Sequence, residues 1–375
     1  MRSAFRVLQA ADFHLHQPLE SAGVLPAELR EIFNQARERA ALKVFQTAMS
    51  SAVDLLLLTG PLALFEEEPR LACFLMEQFR QLQLHGVQVV WAAQNSGGLP
   101  NWTFDGHVER LVPGESLSLK SLRSGRRMHV AWLVGGQIPL SVTSEELQVT
   151  LQGAGQGLGI EYAIAGSTQP ARHRTVSIQP DGPSDTAECG MWLTEAALGQ
   201  IPTSSLLPTA PVHWAEETLE LQLQTTYSEL LVEMERRIAR RQARQATELT
   251  LLQWQLTGQG PLWEQLAEVA AGRELLLQLR DSKSSHSRIW SWKVEFQPAS
   301  AQIETWRQQS SVLAQSFSQQ EQLTAADHLA SSGGSQLPGH DHAHFGPSAG
   351  HAHAMRLRLV RALQNPGSES RADAG

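Results

Sequence analysis

Apolar strands alternating with amphipathic helices predict a mixed α/β protein, and three observations carry that prediction. The run from Val53 to Gly60 (VDLLLLTG) is almost continuously apolar and ends in glycine, as a parallel strand buried on both faces does. Shorter apolar runs at 5–11 and 87–93 flank it, with helical patterns in between, so the order is strand, helix, strand, helix, strand. Beyond residue 98 helices become scarcer, and short apolar strands at 129–134, 160–165 and 190–194 predict a second, flanking sheet.

The elements follow in order. After the strand at 5–11, Leu29, Ile32, Phe33, Ala36, Ala40 and Val44 keep helical spacing and predict one helix over 28–52. A second helix, 69–85, leads through Gly86 into the strand at 87–93. Open sheets of this kind bind ligands where strands end at their carboxyl termini, which singles out residues 12–14, 60–61 and 94–97. Further on, 215–250 reads as helical and charged, 251–257 as a strand, 261–280 as a helix and 289–296 as a strand. Together these make a small α+β unit.

A chain of 375 residues exceeds what one core usually serves. The expected organisation is a main domain over 1–214, a smaller one over 215–300, and a tail over 301–375. The tail begins as a Gln/Ser-rich helix and becomes rich in Gly, Ser, Pro and His, a composition expected to be flexible. Hydrophobic residues make up 42% of the chain, yet no apolar run approaches the roughly 20 residues of a membrane span. Arg2 and the residues after it form no secretory signal, so a cytoplasmic, membrane-free protein is expected. Cys73 and Cys189 are far apart and lack a C-x-x-C partner, which argues against a disulfide framework or a zinc knuckle. The net charge of −8 gives no global attraction to nucleic acid, so any DNA contact must come from a local basic patch.

The strand ends carry the chemistry. Ala11-Asp12-Phe13-His14-Leu15 reads A-D-x-H-L, Val53-Asp54 and Thr59-Gly60 bracket the second strand, and Gln94-Asn95-Ser96-Gly97 follows the third. Glu161 to Gln169 (EYAIAGSTQ) is a strand and turn, and Leu256 to Leu262 (LTGQGPL) contains G-x-G-P-L. In this order the segments resemble the calcineurin-like metallophosphoesterases, in particular the DNA-repair exonucleases of the SbcD/YhaO type, over roughly residues 1–300. The resemblance implies a metallophosphoesterase-like α/β/β/α sandwich with a smaller α+β capping domain. It also implies metal-dependent hydrolysis of DNA phosphodiesters, a homodimer, and an SMC-like ATPase as partner. Family members hold two ions about 3.5–4 Å apart, which clamp the attacking and leaving oxygens and generate a hydroxide near neutral pH. Carboxylate, imidazole and amide donors suit manganese or a similar divalent ion.

Asp12, His14 and Asn95 match the family's metal ligands. The metal-bridging Asp is replaced by Pro61, the catalytic His by Ser96, the two histidines of G-H-x-H by Ser167 and Gln169, and a further histidine by Val134. Even one lost supporting partner weakens metal binding by about 10–100-fold, so a catalytically impaired binding or regulatory protein is the expected outcome. The competing enzymatic reading keeps a mononuclear site on Asp12, His14 and Asn95. The bland one lets Asp12 cap its loop and Asn95 turn its own.

Three other features stand out. Arg236, Arg240 and Arg244 recur at i, i+4, i+8 with Arg237 and Arg241 beside them, a stripe that either follows a phosphate backbone or forms a solvated face with pairs such as Glu233 and Arg237. The histidines at 340, 342, 344, 351 and 353 could bind zinc, nickel or copper, making a metal-binding scaffold the third alternative. Trp254, Trp263, Trp290 and Trp292 either stack on unpaired bases or pack a core, and the alternation around Ile289 favours a half-buried strand.

Overall fold

The structure, a computed structural model, describes residues 4–20, 23–62, 68–93, 106–134, 146–153, 158–164, 167, 169–183, 188–244, 247–266, 269–281 and 288–298. Asn95 and Ser96, the Gln/Ser-rich segment and the histidine tail lie outside them.

The core begins with β1 (Phe5–Ala11), α1 (Ala27–Asn34), α2 (Ala36–Ser50), β2 (Leu55–Thr59), α3 (Pro69–Leu84) and β3 (Gln88–Ala92), followed by the short β4 (Glu109–Leu111). The strands β1, β2, β3 and β4 pair in parallel, while β10 (Gly190–Ala196) and β11 (Thr203–Pro208) extend the sheet antiparallel from the other side of β1. The buried run in β2 works by alternation. Leu56 and Leu58 face the helices, packing with Ala40, Val44 and Phe45 of α2 and Leu75 and Phe79 of α3. Leu55 and Leu57 face the opposite way and pack against a second sheet.

That second sheet has five strands in sequence order: β5 (Ser116–Lys120), β6 (Arg127–Leu133), β7 (Leu147–Gln152), β8 (Gly159–Ile164) and β9 (Ala171–Arg174). Val130, Val149, Leu151, Ile160 and Tyr162 line its inner face. Helices, a mostly parallel sheet and a mostly antiparallel sheet therefore stack around two hydrophobic cores, and the mixed α/β class holds. Among the described residues the two cores account for three layers: helices, first sheet and second sheet.

Two sequence expectations need correction. The helix foreseen over 28–52 is interrupted at Gln35 (φ −96°, ψ 6°), although the hydrogen bonds Gln35 N to Glu31 O and Arg39 N to Gln35 O run through the break. The segment 215–250 does not begin as helix. Residues Val212–Leu221 form β12, with Val212, Trp214, Leu219 and Leu221 buried and His213, Glu216, Thr218 and Glu220 exposed. The period of two outweighs the helix propensity of its glutamates. Helix α4 (Tyr227–Arg244) follows, then β13 (Leu249–Gly258), α5 (Pro261–Leu266), α6 (Val269–Asp281) and β14 (Ile289–Pro298). The strands β12, β13 and β14 form a three-stranded sheet.

The chain divides into two compact units. Among the described residues, one comprises those up to Ala215 with Arg244, 247–251 and 288–290, and the other those of 216–243, 252–281 and 291–298. Among the described residues no helix is long and apolar enough to cross a membrane.

Candidate functional site

Parallel pairing of β1 with β2, in the register Ala11 to Thr59, delivers both strand ends to one place. Past the strands the two chains stay joined. Asp12 N–H donates to the Thr59 carbonyl (3.1 Å), Phe13 and His14 N–H both donate to the Pro61 carbonyl (3.1 and 3.3 Å), and Leu15 N–H donates to the Leu62 carbonyl (2.9 Å). Phe13 and Leu15 are buried, with Phe13 packed on Phe45 at 5.9 Å between ring centroids. Asp12 and His14, at alternate positions, are left half-buried.

The turn is tight. Asp12 (φ 51°) and His14 (φ 44°) both occupy the left-handed region, where Asp and His are enriched among residues other than glycine. Gly60 (φ 77°) lies directly under the Asp12 carboxylate, because a Cβ there would stand 2.3 Å from Asp12 Oδ1. The Gly60 carbonyl accepts a hydrogen bond from Trp91 Nε1 at 2.9 Å, fixing its peptide from the β3 side.

Burial pushes the Asp12 carboxyl above the ordinary aspartate range, His14 draws it back down, and Asp181 adds to the rise. His14 is turned toward Gln17, its Nδ1 lying 2.9 Å from Gln17 Oε1, and its ring stacks near that of His16 at 6.3 Å. A third segment closes the site: Ile178 N–H donates to the Ala11 carbonyl at 3.2 Å, and Glu20 N–H donates to the Asp181 carbonyl at 3.0 Å. Asp181 in turn receives Arg37 Nη2 at 2.5 Å.

Sequence reasoning placed Asp12 and His14 at a strand end, and they lie there within electrostatic reach of each other. It missed Arg37 and Asp181. Both left signals: Arg37 falls on the same helical stripe as Ala41, Val44 and Ala48, where a charge is out of pattern, and Asp181 sits in a Pro-Asp-Gly-Pro turn. Asp54 belongs to the other end of β2, where it accepts the Arg6 amide (2.9 Å) and the Ser121 hydroxyl (2.5 Å) and caps the strand. It is a structural carboxylate.

Manganese or a similar ion finds few donors here. No group of three His, Cys, Asp or Glu side chains capable of holding a metal occurs among the described residues. Pro61 offers only its carbonyl, already committed to two amides. The Ser167 hydroxyl donates to the Gln169 carbonyl at 2.7 Å within its own turn, and Val134 presents hydrocarbon. Asn95 and Ser96 lie outside the described residues. The described part of the site does not fit a two-metal centre, so no chemical step is drawn through one.

The basic stripe of α4 is largely engaged. Arg241 Nη2 and Arg237 Nη1 reach Glu217 of β12 (2.7 and 3.3 Å), Arg237 Nε also reaches Glu233 (3.0 Å), and Arg236 Nε bonds Glu233 at 2.7 Å. Arg240 is exposed with no ion pair among the described residues, while the side chain of Arg244 lies outside them. The pairing with Glu217 was not foreseen because β12 was not. Trp254 and Trp263 are core residues, their indole N–H groups donating to Ser291 Oγ (3.0 Å) and the Leu256 carbonyl (3.4 Å). Trp290 and Trp292 are half-buried, with Lys293 Nζ lying 5.5 Å from the Trp292 ring centroid. The chain matches no family model and no curated protein.

Proposed function

We propose that this protein is a catalytically impaired relative of the DNA-repair metallophosphoesterases, with a binding or regulatory role in place of nuclease chemistry. The observation that carries the reading is the strand-end turn. Asp12 and His14 lie hydrogen-bonded alongside residues 59–62, and a proline stands where the family's metal-bridging carboxylate would be. A carboxylate between two cations offsets their mutual repulsion, and a proline cannot. The sheet order β1-β2-β3, with helices on one face and a second sheet on the other, supports the same assignment.

In this reading the capping domain of the resemblance falls over 215–300. The partners proposed are DNA, an SMC-like ATPase and a second copy of this chain. The ion pairs that occupy Arg236, Arg237 and Arg241 favour contact through a protein partner over direct gripping of a phosphate backbone by α4.

The test is one preparation assayed twice: bound metal by elemental analysis, and manganese-dependent cleavage of linear duplex DNA. The expected result is substoichiometric metal and no cleavage. Robust cleavage that disappears with Asp12→Ala would overturn the proposal. Weak, chelator-sensitive hydrolysis of a simple phosphodiester without DNA cleavage would instead favour a mononuclear phosphoesterase.

A further inference from the structure

Residues that follow the Asp12–His14 turn and residues of α1 and α2 line a cavity of about 430 Å³, with Leu15, Leu19, Leu25 and Phe33 among its apolar members and Arg30 and Arg37 as its cations. Its volume falls within the roughly 300–1,000 Å³ typical of small-molecule sites. Arg37 is the unusual member. It is 5% exposed, and its Nη2 reaches Asp181, but Nε and Nη1 are buried with no hydrogen-bond partner. Guanidinium is always charged and carries five donors in a rigid plane. Arg37 is among the residues that line the cavity, and a buried cation with two unmet donors is a group prepared for an acceptor.

The charge around it settles the sign of the guest. Glu38 also lines the cavity, but its carboxylate receives Arg70 Nη2. Arg30, exposed at the rim, spends one donor on the Leu25 carbonyl at 2.9 Å and makes no ion pair among the described residues. Arg37 keeps two unmet donors beside its pair with Asp181, Arg30 makes no ion pair among the described residues, and the lining glutamate is already paired, while Leu19, Leu25 and Phe33 offer an apolar wall. Such a site takes a negative head and a hydrocarbon body.

We propose that this cavity is a binding site for a small organic anion, its carboxylate or phosphate group held by Arg37 with Arg30 at the rim and its apolar body against Leu19, Leu25 and Phe33. The proposal does not depend on the phosphoesterase resemblance. Occupancy would be felt at the strand ends, because Gln17 lines the cavity and holds His14, and Asp181 both bonds Arg37 and acts on Asp12.

The experiment is isothermal titration of the full chain with octanoate, octyl phosphate, octanol and inorganic phosphate, backed by thermal shift. The expected order has one of the amphiphilic anions at least about tenfold tighter than both the neutral alcohol and bare phosphate. Comparing octanoate with octyl phosphate tells a carboxylate guest from a phosphate one. Arg30→Gln, at an exposed position, should weaken that anion several-fold without changing the thermal midpoint. Leu19→Trp, which fills the cavity, should abolish binding, and Arg37→Lys should weaken it while keeping the charge. Equal binding of octanol, unchanged affinity in Arg30→Gln and Leu19→Trp, or no binding by any probe at millimolar concentration would each overturn the proposal, the last leaving water as the cavity's occupant.

Discussion

Replacing Gly60 with alanine tests the geometry of the strand-end turn directly. Two separate costs are expected. At φ 77° an L-residue sits in the left-handed region, which costs about 1–2 kcal/mol for a residue with a Cβ. The new methyl group would also stand 2.3 Å from Asp12 Oδ1 and 3.4 Å from Cγ, so the carboxylate must leave its rotamer, at a further cost on the order of 1 kcal/mol. Gly60→Ala should therefore destabilise the larger unit by about 2–3 kcal/mol, read by urea unfolding. The two parts separate in a double-mutant cycle. Asp12→Gly removes the carboxylate and itself accepts φ 51° without strain. In that background Gly60→Ala should cost only the backbone part, leaving a coupling on the order of 1 kcal/mol. Equal cost in both backgrounds would show that the carboxylate does not rest on Gly60, and a neutral Gly60→Ala would refute the turn itself.

Asp12 also makes a pH prediction. Its folded pKa is raised above the ordinary 3.8 by burial, so the folded state favours the protonated acid. That contribution is fully present below the ordinary value and is lost as pH rises through the raised one. Thermal midpoints measured from acid to neutral pH should show the wild type losing ground against Asp12→Asn, and parallel curves would contradict the burial argument. Pro61→Asp places a second carboxylate beside Asp12 and should raise manganese affinity by about tenfold or more in calorimetry; unchanged affinity would mean that residue 61 is not poised over the site. Glu217→Ala releases Arg241 and takes one of the two ion-pair partners from Arg237. It should cost about 1 kcal/mol of stability and make duplex-DNA binding, followed by anisotropy, tighter and more steeply salt-dependent. No change in the salt slope would show that α4 is not presented to DNA.

The parallel core was legible because β2 is buried on both faces and its neighbours are separated by helices of ordinary period. Helix α3, with Pro69 at its first position and Gly86 (φ 75°) after its end, was legible at both termini for reasons of backbone geometry. What escaped were short or unevenly buried strands. Residues 203–208 (TSSLLP) and 171–174 (ARHR) carry little apolar signal, since as edge strands they are held by ladder hydrogen bonds to β10 and β8. Strand β12 was hidden by its glutamates. The consequence reached the basic stripe, because Glu217, on that strand, is the partner of Arg237 and Arg241. The Arg37–Asp181 pair escaped for a different reason. It spans 144 positions, and no local pattern encodes a partner at that distance.

The turn itself changes what the Asp12-Phe13-His14 motif means. In sequence it reads as two metal ligands, because Asp12 and His14 match the A-D-x-H-L of the metallophosphoesterases that the segment resembles. In the structure both residues sit at positive φ, where a β-branched or large apolar residue would be strained and where Asp and His are among the few side chains tolerated. The residue between them is buried against Phe45 and must be apolar. Backbone sterics and core packing alone therefore ask for a small polar residue, then a hydrophobe, then a small polar residue at 12–14. The motif is satisfied without any metal. Substitution separates the demands: asparagine at 12 and at 14 keeps the left-handed turn and gives up the charge and the imidazole. If the fold alone requires the motif, Asp12→Asn with His14→Asn should be no less stable than the wild type at neutral pH to within about 0.5 kcal/mol, and added manganese should shift neither protein. A manganese-dependent stabilisation seen in the wild type and lost in the double variant would restore the metal reading.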